Sequence, residues 1–157
     1  MGKINMQKVL VGGLIAGLFL NIVDYVQFGV VLKDQMAAAM QAVNKPAMTN
    51  AQIPYFVVLD FVAGIFLVWL YAAIRPRFGA GPATAAKAGI AAWFVGGLLV
   101  TLFMWPMGVM PHNLMITTTV VGLVSWTLAT VIGAKFYTEG AGVGAGMGAG
   151  AGMGSRM

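Results

Sequence analysis

Residues 9–32 read VLVGGLIAGLFLNIVDYVQFGVVL, an apolar run of 24 positions interrupted only by Asn21, Asp24 and Gln27. A helix crossing a hydrocarbon core of about 30 Å needs roughly 20 mainly apolar residues, so this run is long enough to span a bilayer. A spanning β-strand would alternate apolar and polar residues over about ten positions. Here the apolar character is continuous, which selects a helix.

Working outward, three more runs have the same character: residues 54–74, 82–105 and 113–137. The whole chain is 60% hydrophobic and 8% charged, against about 25% charged in an ordinary soluble domain. The fold class expected is all-α, a polytopic membrane protein built as an antiparallel bundle of four transmembrane helices. Residues 1–139 form that domain, and residues 140–157, with glycine at every second position as far as Gly154, form a flexible Gly/Ala/Met-rich tail.

The connections fit this division. Lys45-Pro46 breaks the chain after the first span, and Thr49 with Gln52 has the spacing of a capping box. Arg75-Pro76-Arg77-Phe78-Gly79 is expected to end the second span. Gly81-Pro82 opens the third, Pro106 and Pro111 bracket the next turn, and Gly140 is placed to stop the fourth helix. Between the first two spans, Met36, Ala39, Met40 and Val43 share one face of a helical segment, with Asp34, Gln41 and Lys45 opposite. That helix either extends the first span or lies along the membrane interface.

Charge sets the orientation. With the N-terminus in the cytoplasm, Lys3, Lys8, Arg75, Arg77, Lys87, Lys135 and Arg156 are inside, and only Lys33 and Lys45 are outside. The positive-inside rule favours that arrangement, with both termini cytoplasmic. Tyr55, Trp69, Trp105 and Tyr137 lie near the span ends and suit aromatic belts, whereas Trp93 and Trp126 are deep enough to be packing residues. The first apolar run exceeds the roughly 7–15 residues of a signal-peptide core, so it is expected to stay as a helix.

Two acids fall inside the apolar runs. Asp24 and Asp60 come to similar depth when the first two helices run antiparallel, roughly 5–6 Å from the midplane at 1.5 Å per residue. No lysine or arginine accompanies them at that depth. An intramembrane acid costs about 2.5–3.5 kcal/mol on insertion scales and is a functional candidate for that reason. Two carboxyls in a low-dielectric site do not readily both ionise, so at least one is expected to hold a proton. Asn21, Gln27, Tyr25, Thr101 and the hydroxyls of the fourth helix are the available hydrogen-bond partners.

Gly13, Gly17, Asn21, Asp24 and Phe28 follow helical spacing along one stripe, with Gln27 beside it. Asp60, Gly64, Leu67 and Tyr71 make a comparable stripe on the second helix. Small residues permit close backbone approach in membranes, so Gly13, Gly17, Gly64, Gly96 and Gly97 are expected at helix contacts. The hydroxyls of Thr117, Thr118, Thr119, Ser125, Thr127 and Thr130 are expected to bond their own backbone or a neighbouring helix.

Residues 104–115, MWPMGVMPHNLM, gather Met104, Met107, Met110, His112 and Met115 in the turn between the third and fourth spans. Thioether and imidazole ligands suit copper(I). Methionine in an apolar chain is otherwise flexible packing.

Catalytic signatures are absent from the sequence. There is no cysteine, no zincin motif, no Walker loop and no dinucleotide fingerprint, so neither an enzyme nor a cofactor is expected. No basic run interleaved with aromatics points to nucleic acid. The partners expected are the lipid bilayer and either further copies of the chain or other membrane subunits.

Asn21-Ile22-Val23-Asp24-Tyr25 and Trp69-Leu70-Tyr71-Ala72-Ala73-Ile74-Arg75-Pro76-Arg77-Phe78-Gly79 carry a resemblance to a widespread, mostly uncharacterised family of small bacterial four-helix integral membrane proteins. The similar layout covers about residues 6–139. It implies a bacterial inner membrane and assigns no activity. Together these features lead to the expectation of a nonenzymatic protein acting through helix association, as homo-oligomer or accessory subunit. Proton- or cation-coupled transport through Asp24 and Asp60, and copper(I) handling by the Met/His hairpin, are the alternatives.

Overall fold

The computed structural model describes residues 3–46 and 48–139. The expected tail and Gly140 lie outside the described residues. Among the described residues the structure is helical without a strand, and it contains four helices long and apolar enough to cross a membrane, at Met6–Val31, Asn50–Phe78, Pro82–Met107 and His112–Ala134.

The first begins with α1, Met6–Asp24, whose N-cap Asn5 accepts a hydrogen bond from the Lys8 N–H at 3.2 Å. The backbone then continues as a π-helix over Tyr25–Val31. A turn at Leu32 leads into α2, Lys33–Ala42. Its apolar face is as expected: Ala39 is buried, and Met36 packs with Phe28 and Met110 on a small cluster of Leu32, Ala39 and Leu114.

The third helix, α3, spans Ile53–Phe78 behind a 3₁₀ turn, Asn50–Gln52. The capping box is formed, with the Thr49 N–H donating to Gln52 Oε1 at 2.6 Å. Pro76 does not end this helix, contrary to the sequence expectation. It sits in the last turn, where proline removes one backbone bond and little helix remains beyond it. The stop is Gly79, at φ +84°, whose N–H reaches the Arg75 carbonyl at 2.9 Å. Gly81 and Pro82 open α4, Pro82–Trp93, as expected. A second π-helix follows over Phe94–Leu99, then α5, Val100–Met104, and a 3₁₀ turn, Trp105–Met107.

The last helix, α6, covers His112–Ala134 and is shorter than its apolar run. Its final turn tightens through hydrogen bonds three residues apart, from Lys135 to Ile132 and from Tyr137 to Ala134. Tyr137 is thereby drawn into the bundle. It is 5% exposed and meets the Tyr71 ring edge-on at 5.9 Å, with the Arg75 guanidinium over its face. The belt position expected from sequence is not the one it takes. Tyr55 is 65% exposed, and Trp69 and Trp105 are exposed as well.

The four long helices pack α1 against α3 and α6, and α4 against α3 and α6. Helices α3 and α6 also meet across the centre, so α1 and α4 occupy separated corners. The core is built of small residues, including Ala16, Ala72, Ala85, Ala88 and Ala129, around Val9, Leu67 and Val68. Of the two stripes read from sequence, that of α3 faces inward as expected, with Gly64, Leu67 and Tyr71 buried.

Candidate functional site

Three glycines bring α1 and α3 into backbone contact. A Cβ at Gly13 would lie 2.5 Å from the Ile65 Cα, and one at Gly17 would lie 2.7 Å from the Phe61 Cα. A Cβ at Gly64 would strike the Gly13 carbonyl and the Gly17 nitrogen. Gly13, Gly17 and Gly64 are thus helix-contact residues, as expected, and their contacts are made within the chain. A second crossing was not foreseen: a Cβ on Gly12 would lie 2.5 Å from the Gly133 carbonyl oxygen, closing α1 onto α6.

The close approach positions the polar residues one turn further along. Asn21 Nδ2 donates to the Gly17 carbonyl at 2.9 Å and to the Val57 carbonyl of α3 at 3.4 Å. Next along the stripe, the carboxyl groups of Asp24 and Asp60 come next to each other across α1 and α3, close enough to share a hydrogen bond. A carboxylate only accepts, so a hydrogen bond between two carboxyl groups requires a proton on one of them.

Most of the hydroxyls anticipated as partners for the acids are engaged elsewhere, and Gln27 Nε2 is left without a partner. Thr101 and Thr119 bond each other at 2.7 Å, and Thr118 and Ser125 bond the carbonyls of Leu114 and Gly122. Thr117, Thr127 and Thr130 likewise bond backbone carbonyls one turn back, as expected for hydroxyls in such a helix. Tyr25 is 71% exposed and turned away. The polar neighbour of each acid is the other acid.

Asp24 also lines a cavity of about 230 Å³ in the gap between the separated corners. Its wall comes from the end of α1 and the first π-helix (Asp24, Gln27, Phe28), from α4 and the second π-helix (Trp93, Gly96, Gly97), from α5 (Val100, Thr101), and from α6 (Thr118, Thr119, Gly122, Ser125, Trp126). Gln27 is buried, and its Nε2 has no hydrogen-bond partner. Both π-helices contribute wall residues. π-Helical turns are rare and concentrate at functional sites.

Gly96 is at a contact with α6, as expected, and Gly97 instead makes room for an indole ring of its own span. A Cβ on Gly96 would lie 2.9 Å from the Trp126 ring, and one on Gly97 would lie 2.8 Å from Trp93 Cδ1. Trp93 Nε1 donates to the Thr119 carbonyl at 2.9 Å, which fixes that ring in the wall. The signal for this arrangement was present in the sequence as two mid-span tryptophans and a mid-span Gly-Gly pair. Neither distinguishes a cavity from ordinary packing.

The Met/His hairpin is divided among several environments. Met115 is buried at 5% exposure, and Met110 packs on the Leu32, Ala39 and Leu114 cluster. Met104 and Met107 are exposed, and the His112 ring stacks on Trp105 with centroids 4.1 Å apart. Among the described residues no group of three or more His, Cys, Asp or Glu side chains is placed to hold a metal.

No family model, curated protein or solved structure matches this chain.

Proposed function

We propose that this chain is a nonenzymatic multi-pass membrane protein of the bacterial inner membrane, an antiparallel bundle with both termini cytoplasmic, and that the Asp24–Asp60 pair exchanges protons or cations with the adjoining cavity. The topology is supported by the contacts of Gly12 with Val68, Gly13 with Ile65 and Gly17 with Phe61, which ascend α1 as they descend α3, and by the lysine and arginine distribution.

One observation carries the functional reading: Asp24 touches Asp60 and lines the cavity at the same time. A single shared proton leaves one negative charge in place of two, which reduces the cost of holding acids in an apolar span. A cation arriving in the cavity can take over that compensating role, and the proton then leaves. Among the described residues that line the cavity Asp24 is the only titratable group; Asp60 reaches it from α3, and α4, α5 and α6 contribute none.

The test is proton flux into liposomes holding purified protein and an internal pH dye, driven by a potassium diffusion potential. The wild type is expected to carry protons, and Asp24→Asn and Asp60→Asn are each expected to stop the flux. Folded variants that carry protons at the wild-type rate would refute the assignment.

Association with another copy or another membrane subunit has one observation in its favour. Every residue from 50 to 59 is exposed, although this stretch leads directly to Asp60. Because the chain lacks cysteine, Val58→Cys introduces a single thiol. Cross-linking to a second copy in native membranes supports self-association, and an unlinked monomer at high oxidant counts against it.

A further inference from the structure

We infer that the cavity beside Asp24 binds a small organic ammonium ion that also carries a hydrogen-bond acceptor. Three properties of the wall define that class. Its charge is anionic: Asp24 is present, and no lysine or arginine lines the space. Its apolar part is aromatic, from Phe28, Trp93 and Trp126, and aromatic faces attract ammonium groups within about 6 Å. Of its remaining polar groups, the hydroxyls of Thr101, Thr118, Thr119 and Ser125 are already hydrogen-bonded, and one donor is unused. Gln27 lines the cavity, is more than nine-tenths buried at 8% exposure, and its Nε2 has no partner. A buried donor without an acceptor is unfavourable, and a ligand hydroxyl, carbonyl or carboxylate oxygen would remove that cost.

Size narrows the class. About 230 Å³ is roughly seven water-sized volumes at about 30 Å³ each, which suits a ligand of about six to ten non-hydrogen atoms. It far exceeds a bare metal ion, which the Asp24 carboxylate and the threonine and serine hydroxyls of the wall could hold only with water filling the rest of the space. Asp24 and Gln27 are three residues apart, so the cationic and acceptor ends of the ligand would be held by neighbouring turns of one helix. The exchange balances in charge: the ammonium enters opposite the Asp24 carboxylate as the proton shared with Asp60 leaves.

The experiment uses the full chain in lipid nanodiscs, with tryptophan fluorescence and calorimetry as readouts. The probes are choline, tetramethylammonium and 3,3-dimethylbutan-1-ol, the uncharged carbon analogue of choline. Choline is expected to bind about tenfold more tightly than tetramethylammonium, the factor contributed by one hydrogen bond to a buried donor. Gln27→Leu is expected to narrow that preference to about twofold, Asp24→Asn to lose both cations, and the neutral analogue to fail to bind. Equal binding of the neutral analogue, an undiminished choline preference in Gln27→Leu, or no binding of either cation overturns the inference. The Gln27→Leu and neutral-analogue arms stand even if Asp24→Asn does not fold. The inference rests on the proton-exchange reading, and the two fail separately. Proton flux without choline binding removes the ligand class alone, whereas choline binding without proton release in weak buffer removes the exchange alone.

Discussion

Replacing Gly64 by alanine tests the crossing on which the acid pair depends. The added methyl would meet the Gly13 carbonyl and the Gly17 nitrogen, and would lie 2.7 Å from the Gly17 Cα. Carbon atoms pack best at about 3.5–4.0 Å, so α1 and α3 must separate locally by about 1 Å. These atoms are backbone of a packed helix, and no side-chain rotation relieves the clash. Overpacking of this kind costs about 1–3 kcal/mol, a fall of about 5- to 150-fold in the ratio of folded to unfolded protein. The separation also reaches the site. The Asn21–Val57 hydrogen bond is already long at 3.4 Å and breaks first; the Asp24–Asp60 contact lies beyond it on the same two helices. The assay is unfolding by sodium dodecyl sulfate in mixed micelles, followed by circular dichroism, with proton flux measured on the folded fraction. Gly29→Ala is the matched control, because a Cβ there meets only the Tyr25 ring, at 3.4 Å and beyond. Its stability is expected to stay within about 0.5 kcal/mol of the wild type. If Gly64→Ala unfolds at the wild-type detergent fraction and retains full flux, the glycine crossing does not hold the acids together.

At the termini end, Tyr137→Ala is expected to cost about 3 kcal/mol, since it removes a buried ring that packs on Tyr71. Glu139→Gln should cost less, about 1 kcal/mol, because it removes a charge 3.6 Å from the buried Arg75 Nη1 but keeps an oxygen beside it; detergent unfolding of both variants checks the contrast, and equal losses would contradict it. Trp93→Phe removes the 2.9 Å bond to the Thr119 carbonyl and is expected to cost about 1 kcal/mol, and an unchanged unfolding curve would show that the bond does not fix the cavity wall. In the hairpin, Met110 and Met115 belong to packing and His112 to a stack on Trp105. Protein loaded with copper(I) should therefore hold the same metal content as a His112→Ala, Met110→Leu variant, and a clear excess in the wild type would favour the copper reading.

The four long helices were legible because length and continuous hydrophobicity identify a possible span without reference to packing. Which face of each helix turns inward was harder, since apolar side chains suit both lipid and a neighbouring helix. Only the exceptions carry that information. On α1 the spacing of Gly13, Gly17, Asn21 and Asp24 identified the inner stripe, and the close contacts with α3 follow it. The periodic reading stops being reliable at Tyr25, where the backbone widens into a π-helix. Gln27, which had seemed only to flank the stripe, is there buried in the cavity wall. The second π-helix has a similar consequence for Gly97, which admits the Trp93 ring of its own span, whereas Gly96 packs on Trp126 of α6 as a contact glycine does. No residue preference marks a π-turn as clearly as proline or glycine marks a helix end. The two places where helical periodicity failed are therefore on opposite walls of one cavity. A wider helical turn shifts the side chains that follow it around the axis, and here both wider turns border the gap between the α1 and α4 corners, next to Asp24. The gap itself follows from α3 and α6 meeting across the centre, and it places Asp24 between Asp60 on one side and open space on the other.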